Sequence, residues 1–266
     1  MINMEKYEVI EPERQTHEFV IDKKVVNRLT SIFSSIQGDT YNKKSNKGKI
    51  NIKNYINYRL DKSKTKFFDK VKQLQGGTII ILVDGSGTMR FDNRMAKCRN
   101  LVSSLFASLE KSSNIDFKVY VYGGSFTNRH IMAIKEIKNL DECKYLTHDG
   151  YYNGSTPTHY ATDYVLEQNK DIIGKKMLIT ITDGIPEVWH KNKQFNDPEI
   201  NEKTKQSYVK AENMGFNIFG ISIDIREQHK ENFKKIFRQK YVNIVDLEQM
   251  KTRMVRKIEE FTKTLE

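Results

Sequence analysis

The chain alternates between short apolar runs and longer segments in which apolar residues recur every three or four positions. The two clearest runs, Ile79–Val83 and Met177–Ile181, are bounded by turn residues. Continuous runs of this kind predict strands that are buried on both faces, as in the centre of a parallel sheet. Helical spacing is clearest over Asp22–Ile36 and over Asn93–Leu109. These four segments predict an α/β protein.

The remaining elements follow in alternation along the chain. Further strands are predicted at Phe117–Tyr122, His130–Ile134, Asn217–Ile223 and Tyr241–Val245, and further helices at Tyr160–Gln168, Thr204–Met214, His229–Phe237 and Leu247–Phe261. Trp189–Ile200 is predicted to be a polar insertion, and the His130–Ile134 strand is expected at the edge of the sheet. Strands that alternate with helices predict a doubly wound, mostly parallel, Rossmann-like sheet with right-handed crossovers.

The first quarter of the chain follows a less regular pattern. Residues 1–20 are expected to be weakly structured, and Gln37–Gly48 to be a polar loop. Lys49–Leu60 predicts a short strand followed by a helix. We therefore expect a helical and irregular N-terminal extension, residues 1–75, that packs on a main domain of residues 76–266.

Composition limits the class of protein. The chain has 266 residues, of which 38% are hydrophobic and 30% are charged, which allows one large domain with its own core. No apolar run approaches the ~20 residues that span a bilayer, and the N-terminus shows no apolar segment typical of a secretory signal. Cys98 and Cys143 are the only cysteines and lie far apart. We therefore expect packed thiols, no disulfide framework and a cytoplasmic protein.

The charge is strongly positive. The formal net charge is +11, and basic residues concentrate between Lys43 and Lys72, where only Asp61 and Asp69 oppose them. A stretch of this kind is able to bind nucleic acid or an acidic protein surface. No RNP, helix-turn-helix or zinc-finger pattern accompanies it. A solvated lysine-rich surface is the simpler interpretation, and nucleic-acid association beside a structural metal site is the alternative function.

Both buried strands end in an aspartate and a polar turn. Asp84 begins the pattern Asp84-x-Ser86-x-Thr88, and Asp183 follows the second strand. Open α/β sheets bind ligands outside the carboxyl ends of their strands, so these side chains are expected in one crevice. Alternation at positions 84, 86 and 88 lets three oxygens converge on one point. Hard oxygen ligands suit Mg²⁺ or Mn²⁺ rather than zinc.

Other catalytic and nucleotide-binding motifs are incomplete. Gly85-x-Gly87 lacks the third glycine of a dinucleotide fingerprint, and no G-K-[ST] P-loop is present. Ser86 does not lie in a G-x-S-x-G elbow, because position 84 is aspartate. A phosphatase of the DxDxT type would need a second acid at Ser86, so a metal-dependent hydrolase is disfavoured. The six histidines show no paired ligand spacing, and His159 is expected at the surface or behind the ligands.

The D-x-S-x-T pattern at Asp84, a G-x-T pattern at Thr156 and an aspartate-glycine pair at Asp183 follow one another along the chain. Their order and spacing resemble the metal-ion-dependent adhesion site of von Willebrand factor A domains. The resemblance implies that the hydroxyls of Ser86, Thr88 and Thr156 bind Mg²⁺ directly or in alternation. It also implies that Asp84 and Asp183 hold water ligands from behind, and that a carboxylate of a partner protein takes the sixth position. One departure is Thr88, where serine is commoner in the family.

Each of these residues alone has a simpler explanation. An aspartate after a strand often caps a helix, and a threonine before a proline often belongs to a turn. Two acid-terminated strands and two hydroxyl patterns in this order together favour a metal site. The predicted metal-site residues are Asp84, Ser86, Thr88, Thr156 and Asp183.

The last third of the chain narrows the resemblance. Lys176–Pro186 ends in an aspartate-glycine turn, a long insertion follows, and Phe219–Ile223 and Tyr241–Asp246 precede the closing helix. These segments are similar to the C-terminal A domain of the cobaltochelatase CobT-type subunit. The resemblance implies a non-catalytic adaptor that works with an AAA+ ATPase of the MoxR/CobS type or with the target of that ATPase. Cobalt insertion itself is not implied, and the Lys- and Asn-rich composition is typical of a low-GC bacterium or a phage.

Overall fold

The computed structural model describes residues 8–10, 16–36, 41–45, 49–50, 52–60, 68–71, 77–109, 115–125, 131–147, 154–184, 186–190, 193–195, 198–223, 225, 227–238, 240–244 and 246–265. Its strands are β1 (Glu8–Ile10), β2 (Tyr41–Ser45), β3 (Lys49–Ile50), β4 (Phe68–Val71), β5 (Gly77–Asp84), β6 (Ile115–Gly124), β7 (Ile131–Ile137), β8 (Lys175–Thr182), β9 (Val188–His190), β10 (Lys193–Phe195), β11 (Phe216–Ile223) and β12 (Tyr241–Ile244). Its helices are α1 (Lys23–Ile36), α2 (Ile52–Leu60), α3 (Arg94–Leu109), α4 (Thr158–Gln168), α5 (Pro198–Asn213), α6 (Glu227–Phe237) and α7 (Leu247–Lys263). Short 3₁₀ helices span Gly87–Asn93 and Asp141–Tyr145.

Seven of the described strands form one sheet in the order β1-β7-β6-β5-β8-β11-β12. The five strands from β6 to β12 in this order are parallel, whereas β7 runs antiparallel to β6. β1 pairs with β7 in parallel. The chain leaves β5 for β6 on one side and later places β8 on the other side, so the sheet winds in two directions from β5. The predicted doubly wound, mostly parallel α/β fold is confirmed.

The central strand β5 is apolar over five consecutive positions because both of its faces are covered. Ile79, Ile81 and Val83 belong to the core between the sheet and the helices α1, α3 and α7. Ile80 and Leu82 belong to the core on the opposite face, which α4, α5 and α6 cover. Successive strand residues point to opposite faces, so one run of aliphatic residues supplies both layers. Burial of each such side chain contributes about 1.5–3 kcal/mol.

The N-terminal extension is tied to the main sheet through α1, which packs against α3 and α7. Asp22 begins this helix, and its carboxylate accepts hydrogen bonds from the backbone N–H groups of Lys24 at 2.9 Å and Val25 at 3.3 Å. The same carboxylate pairs with Lys251 of α7 at 2.6 Å. These contacts join the first described helix to the last one. The domain boundary between residues 75 and 76 stays a prediction.

Some expectations for the N-terminal part are wrong. Residues 1–20 contain β1, and this strand flanks β7, so β7 is not at the edge of the sheet. Three residues are too few to give a periodic signal, which explains why the pattern missed β1. β2 lies within the predicted loop Gln37–Gly48. Its sequence is almost entirely polar, so the pattern of apolar residues did not indicate a strand. The short strand and helix predicted over Lys49–Leu60 are confirmed as β3 and α2.

The predicted polar insertion Trp189–Ile200 contains regular structure. β9 and β10 pair within it as a short antiparallel hairpin. α5 begins at Pro198, well before its predicted start at Thr204. Proline suits the first turn of a helix, because a backbone N–H at that position has no acceptor within the helix. Most side chains in the first turns of α5 are polar, so the sequence shows no helical repeat of apolar residues there.

Candidate metal site at the carboxyl edge of the sheet

β5 and β8 are neighbouring strands, and an aspartate stands at the end of each. In their parallel register Val83 lies opposite Ile181. Asp84 therefore lies beside Thr182, and Asp183 comes one residue later. The expectation that the two acid-terminated strands meet at one edge of the sheet is confirmed.

Hydrogen bonds link the first loop to the end of β8. The backbone N–H of Ser86 donates to Asp84 Oδ1 at 2.8 Å, which turns the loop back over the carboxylate. The hydroxyl oxygens of Ser86 and Thr88 are 3.1 Å apart. Thr88 Oγ1 donates to Asp183 Oδ1 at 2.8 Å. Two carboxylates and two hydroxyls therefore form one continuous network, which we call the strand-end network.

Asp84 is fully buried and has neutral hydrogen-bond donors around it. In addition to the Ser86 N–H, the Thr182 hydroxyl donates to Asp84 Oδ2 at 2.5 Å. The pKa of Asp84 is raised from its ordinary value to about 7, because burial, together with the charge of Asp183, outweighs the hydrogen bonds from Thr182 and Ser86. A carboxylate removed from water favours its neutral form unless a positive charge lies close to it. Asp84 is therefore a buried acid whose ionised form a nearby positive charge would stabilise.

Asp183 has a cation beside it. Arg94, the first residue of α3, places Nη1 2.5 Å from Asp183 Oδ2. Burial still raises the pKa of Asp183, and the hydrogen bonds from Thr88 and Arg94 pull it down. The sequence analysis missed Arg94. A signal was present, because an arginine in the first turn of a helix opposes the helix dipole and needs an anion nearby.

Backbone pairing places the second hydroxyl loop beside the same edge. Ser155 pairs with Gly124 at the end of β6, and Thr156 pairs with Glu187 after β8. Gly124 permits this approach, because a Cβ atom there would lie 2.0 Å from Ser155 Oγ. Thr156 is buried on this loop. Within the described residues its side chain does not hydrogen-bond to the strand-end network, so the structure joins four of the five predicted residues directly.

The network opens to solvent through Thr88. This residue is exposed, whereas Asp84 is fully buried and Asp183 is 7% exposed. No group of three His, Cys, Asp or Glu side chains suited to a metal forms in the described part of the chain. Any metal at this edge would therefore depend on hydroxyl oxygens as well as on the two carboxylates. An all-oxygen donor set of this kind fits Mg²⁺ or Mn²⁺.

Other residues singled out from the sequence have structural positions or lie outside the described chain. His159 is buried, with its ring centroid 4.0 Å from that of Tyr160, so of its two expected positions the one at the surface is wrong and the one behind the ligands stays a prediction. Cys98 and Cys143 are free and buried, as predicted, and burial raises the pKa of both thiols.

Much of Lys43–Lys72 lies outside the described residues, so nucleic-acid binding there stays a prediction. Among the helices that the structure describes, none has the length and apolar character to cross a membrane.

Solved structures of adhesins and pilins share this fold. The pilus adhesin SpaC from Lactobacillus rhamnosus GG, in its open conformation, matches with a TM-score of 0.56 and 14% identity over 73% of this chain and 31% of that chain. The vWF domain of the type V pili tip protein Mfa5 from Porphyromonas gingivalis matches with a TM-score of 0.52 and 7% identity over 73% of this chain and 96% of that one. The adhesive tip pilin GBS104 from Group B Streptococcus agalactiae matches with a TM-score of 0.51 and 11% identity, covering 70% of this chain and 100% of that chain.

At these identities the likeness shows the fold alone, and this chain spans about a third of the length of SpaC, where the match covers 31%. No curated protein matches the chain in sequence. Residues 78–260 match the family model of the von Willebrand factor type A domain, from β5 through most of α7. This match covers more than half of the 266 residues and includes both strand ends of the network. The chain therefore belongs to the von Willebrand factor type A domain family.

Proposed function

We propose that this protein is an interaction module that uses a divalent metal ion, Mg²⁺ or Mn²⁺, to bind an acidic residue of a partner protein. The von Willebrand factor type A family consists of protein-interaction and adhesion modules, and some members depend on metal. The observation that carries the proposal is the strand-end network. It gathers two buried carboxylates and two hydroxyls beside an opening to solvent.

Five residues would hold the ion: Asp84, Ser86, Thr88, Thr156 and Asp183. When bound, the ion supplies an electrophilic position that accepts a carboxylate oxygen of the partner. The protein contributes orientation. Asp84 holds the first loop through the Ser86 N–H, and Asp183 holds the Thr88 hydroxyl at the opening. Because the hydroxyls are neutral, they leave more of the ion's charge for the partner than a set of carboxylates would.

The proposed role is that of an adaptor and not of a catalyst. Both carboxylates of the network are buried and engaged in hydrogen bonds, so neither is presented as a general acid to a substrate. The partner that we propose is an AAA+ ATPase of the MoxR/CobS type, or the protein that it remodels, in the cytoplasm. This finer assignment rests on the sequence similarity to CobT-type subunits. At most the chain would be the non-catalytic subunit of a chelatase-like AAA+ complex.

A pull-down from native lysate in Mg²⁺ and in EDTA tests the proposal. The bait proteins are the wild type, Asp84→Ala, and Asp116→Ala as a matched control. Asp116 is an exposed aspartate at the opposite end of the sheet, opposite Thr78 in the register of β5 and β6. Circular dichroism establishes that each bait is folded.

We expect a partner that is retained by the wild type and by Asp116→Ala in Mg²⁺, and is lost in EDTA and with Asp84→Ala. A partner that survives both EDTA and Asp84→Ala contradicts the proposal. An arm at increasing salt separates the alternative function. Nucleic acid bound through Lys43–Lys72 would be released steeply by salt and would ignore EDTA.

A further inference from the structure

The strand-end network contains a cation that belongs to the chain itself. The Arg94 guanidinium lies 2.5 Å from Asp183, and the two side chains are only 13% and 1% exposed. Asp183 also accepts the Thr88 hydroxyl on its other oxygen, so both of its oxygens are engaged. A buried carboxylate with a guanidinium at this distance is already neutralised. Any further cation that uses this carboxylate must displace that interaction.

A second carboxylate offers Arg94 an alternative partner. Asp92 lies 3.6 Å from Arg94 Nη2, and its side chain is 73% exposed. The guanidinium therefore sits between a buried acid and an exposed acid. Movement toward Asp92 would keep Arg94 paired while it frees Asp183. An exposed pair of this kind is weak, so the shift carries a free-energy cost.

The turn between Thr88 and Arg94 is attached to the same buried carboxylate at both ends. Asp92 and Asn93 within it have φ angles of 50° and 55°, a left-handed conformation that costs energy in residues other than glycine. The two attachments to Asp183 hold this turn in place. Releasing Arg94 therefore removes one of the two contacts that fix the loop carrying the predicted ligand Thr88.

We propose that Arg94 is an intramolecular competitor that occupies Asp183 in the metal-free protein and thereby lowers the affinity of the strand-end network for divalent ions. This inference rests on the proposed function, because it concerns the same site. It adds a threshold in metal concentration to that function. The site fills only when the free metal concentration is high enough, or when a partner carboxylate adds enough binding free energy, to release Arg94 from Asp183. A coupling of this kind is worth roughly 5- to 150-fold in affinity.

Titration calorimetry with MgCl₂ on the full chain tests the threshold, with four proteins in parallel. Arg94→Gln removes the competing charge. Arg94→Lys keeps a positive charge but loses the planar fork that a carboxylate pairs with. Lys97→Gln is the control, because it removes one positive charge three residues further along α3 and leaves the pair of Arg94 and Asp183 intact. Urea unfolding in EDTA and in Mg²⁺ gives a second readout for each protein.

We expect Arg94→Gln to bind Mg²⁺ at least about tenfold more tightly than the wild type, with Arg94→Lys in between and Lys97→Gln within about twofold of the wild type. In EDTA, Arg94→Gln should be less stable than the wild type, because Asp183 loses its counter-charge. Addition of Mg²⁺ should therefore stabilise Arg94→Gln more than it stabilises the wild type.

The failure modes are distinct. If the wild type binds Mg²⁺ and Arg94→Gln binds it equally or more weakly, the competitor role is wrong and the proposed function stands. Equal gains in Arg94→Gln and Lys97→Gln would also overturn the role, because general charge repulsion would then explain both. If none of the proteins binds Mg²⁺, the proposed function fails together with the inference. Should Arg94→Gln not fold, Arg94→Lys decides the question, since an affinity equal to that of the wild type contradicts the competitor role of Arg94.

Discussion

Asp84 and Asp183 stand at the ends of two adjacent parallel strands and are both buried, yet different groups surround their carboxylates. Around Asp84 the donors are a backbone N–H and a hydroxyl, and its pKa rises to about 7. Beside Asp183 stands the guanidinium of Arg94, 2.5 Å away. The chain supplies a counter-charge at one strand end and leaves the other without one. In our proposal a divalent ion provides the charge that is missing.

The two strand ends differ in how a bound divalent ion would change their free energy. A buried carboxylate without a cation is costly, and a bound ion removes that cost. A buried carboxylate with its own arginine is stable, and a bound ion must first break that pair. In the proposed site Asp84 would therefore favour metal binding and Asp183 would oppose it. The balance between the two would set the affinity for the ion.

The largest expected effect is on the strand end that has its own counter-charge. Asp183→Asn in EDTA should lower the free energy of unfolding by about 3 kcal/mol, because Arg94 would stay largely buried without its carboxylate. Urea unfolding monitored by circular dichroism measures the change. A loss below about 1 kcal/mol would mean that the pair is no stronger than a surface ion pair.

Asp84 should make the stability of the metal-free protein depend on pH. The pKa of Asp84 is higher in the folded protein, at about 7, than its ordinary value of 3.8, so the folded state holds its proton more strongly. Its contribution to stability is complete below the unfolded pKa and is lost as pH rises through about 7. In EDTA, the free energy of unfolding should fall by about 2–3 kcal/mol between pH 5 and pH 8. A free energy of unfolding that stays constant between pH 5 and pH 8 would show that the pKa of Asp84 is not raised in the folded protein.

Asp84→Asn should have the opposite effect to Asp183→Asn. At pH 8 in EDTA it should raise the free energy of unfolding by about 1–2 kcal/mol, because a neutral amide replaces a buried charge and still accepts the Ser86 N–H bond. It should also remove most of the pH dependence between pH 5 and pH 8. If both substitutions destabilise the metal-free protein alike, the contrast between the two strand ends is wrong.

Asp22, a half-buried carboxylate away from the site, gives the smallest effect and a control. Asp22→Ala removes the cap of α1 and the pair with Lys251, which should cost about 1 kcal/mol. The hydrogen bond from Lys251 lowers the pKa of Asp22, so this contribution is present above its unfolded pKa and is lost as pH falls. Thermal unfolding at pH 7 measures the loss. A change in Mg²⁺ affinity in this variant would show that stability alone alters the site.

The sequence was sufficient to predict the architecture because the central strands carry a strong local signal. Five consecutive apolar residues in β5, four of them β-branched and the run bounded by turn residues, favour a short strand covered on both faces. The aspartates at the ends of β5 and β8 then had to meet, because parallel neighbours end at the same edge. Outer elements escaped prediction for the converse reason. β1 has three residues and α5 begins with a polar turn, so neither shows a period.

Arg94 and Thr156 show what local patterns leave out of a site. The contact between Arg94 and Asp183 joins residues 89 positions apart, and no spacing rule encodes it. Thr156 was predicted by pattern, and its loop is placed by pairing with Glu187 and by the bare glycine at Gly124, which are tertiary contacts. Local motifs identify the donors, and tertiary packing decides which of them carry a counter-charge.

The most direct test of the central claim is a Mn²⁺ titration of the full chain in which electron paramagnetic resonance measures the concentration of free Mn²⁺. Three proteins are compared: the wild type, Asp84→Asn, and Asp116→Asn as the matched control at the opposite end of the sheet. We predict one Mn²⁺ per chain in the wild type and in Asp116→Asn, displaced by excess Mg²⁺, and little or no binding in Asp84→Asn. Equal Mn²⁺ binding by wild type and Asp84→Asn, or none by the wild type, would contradict a divalent-ion site at this edge of the sheet.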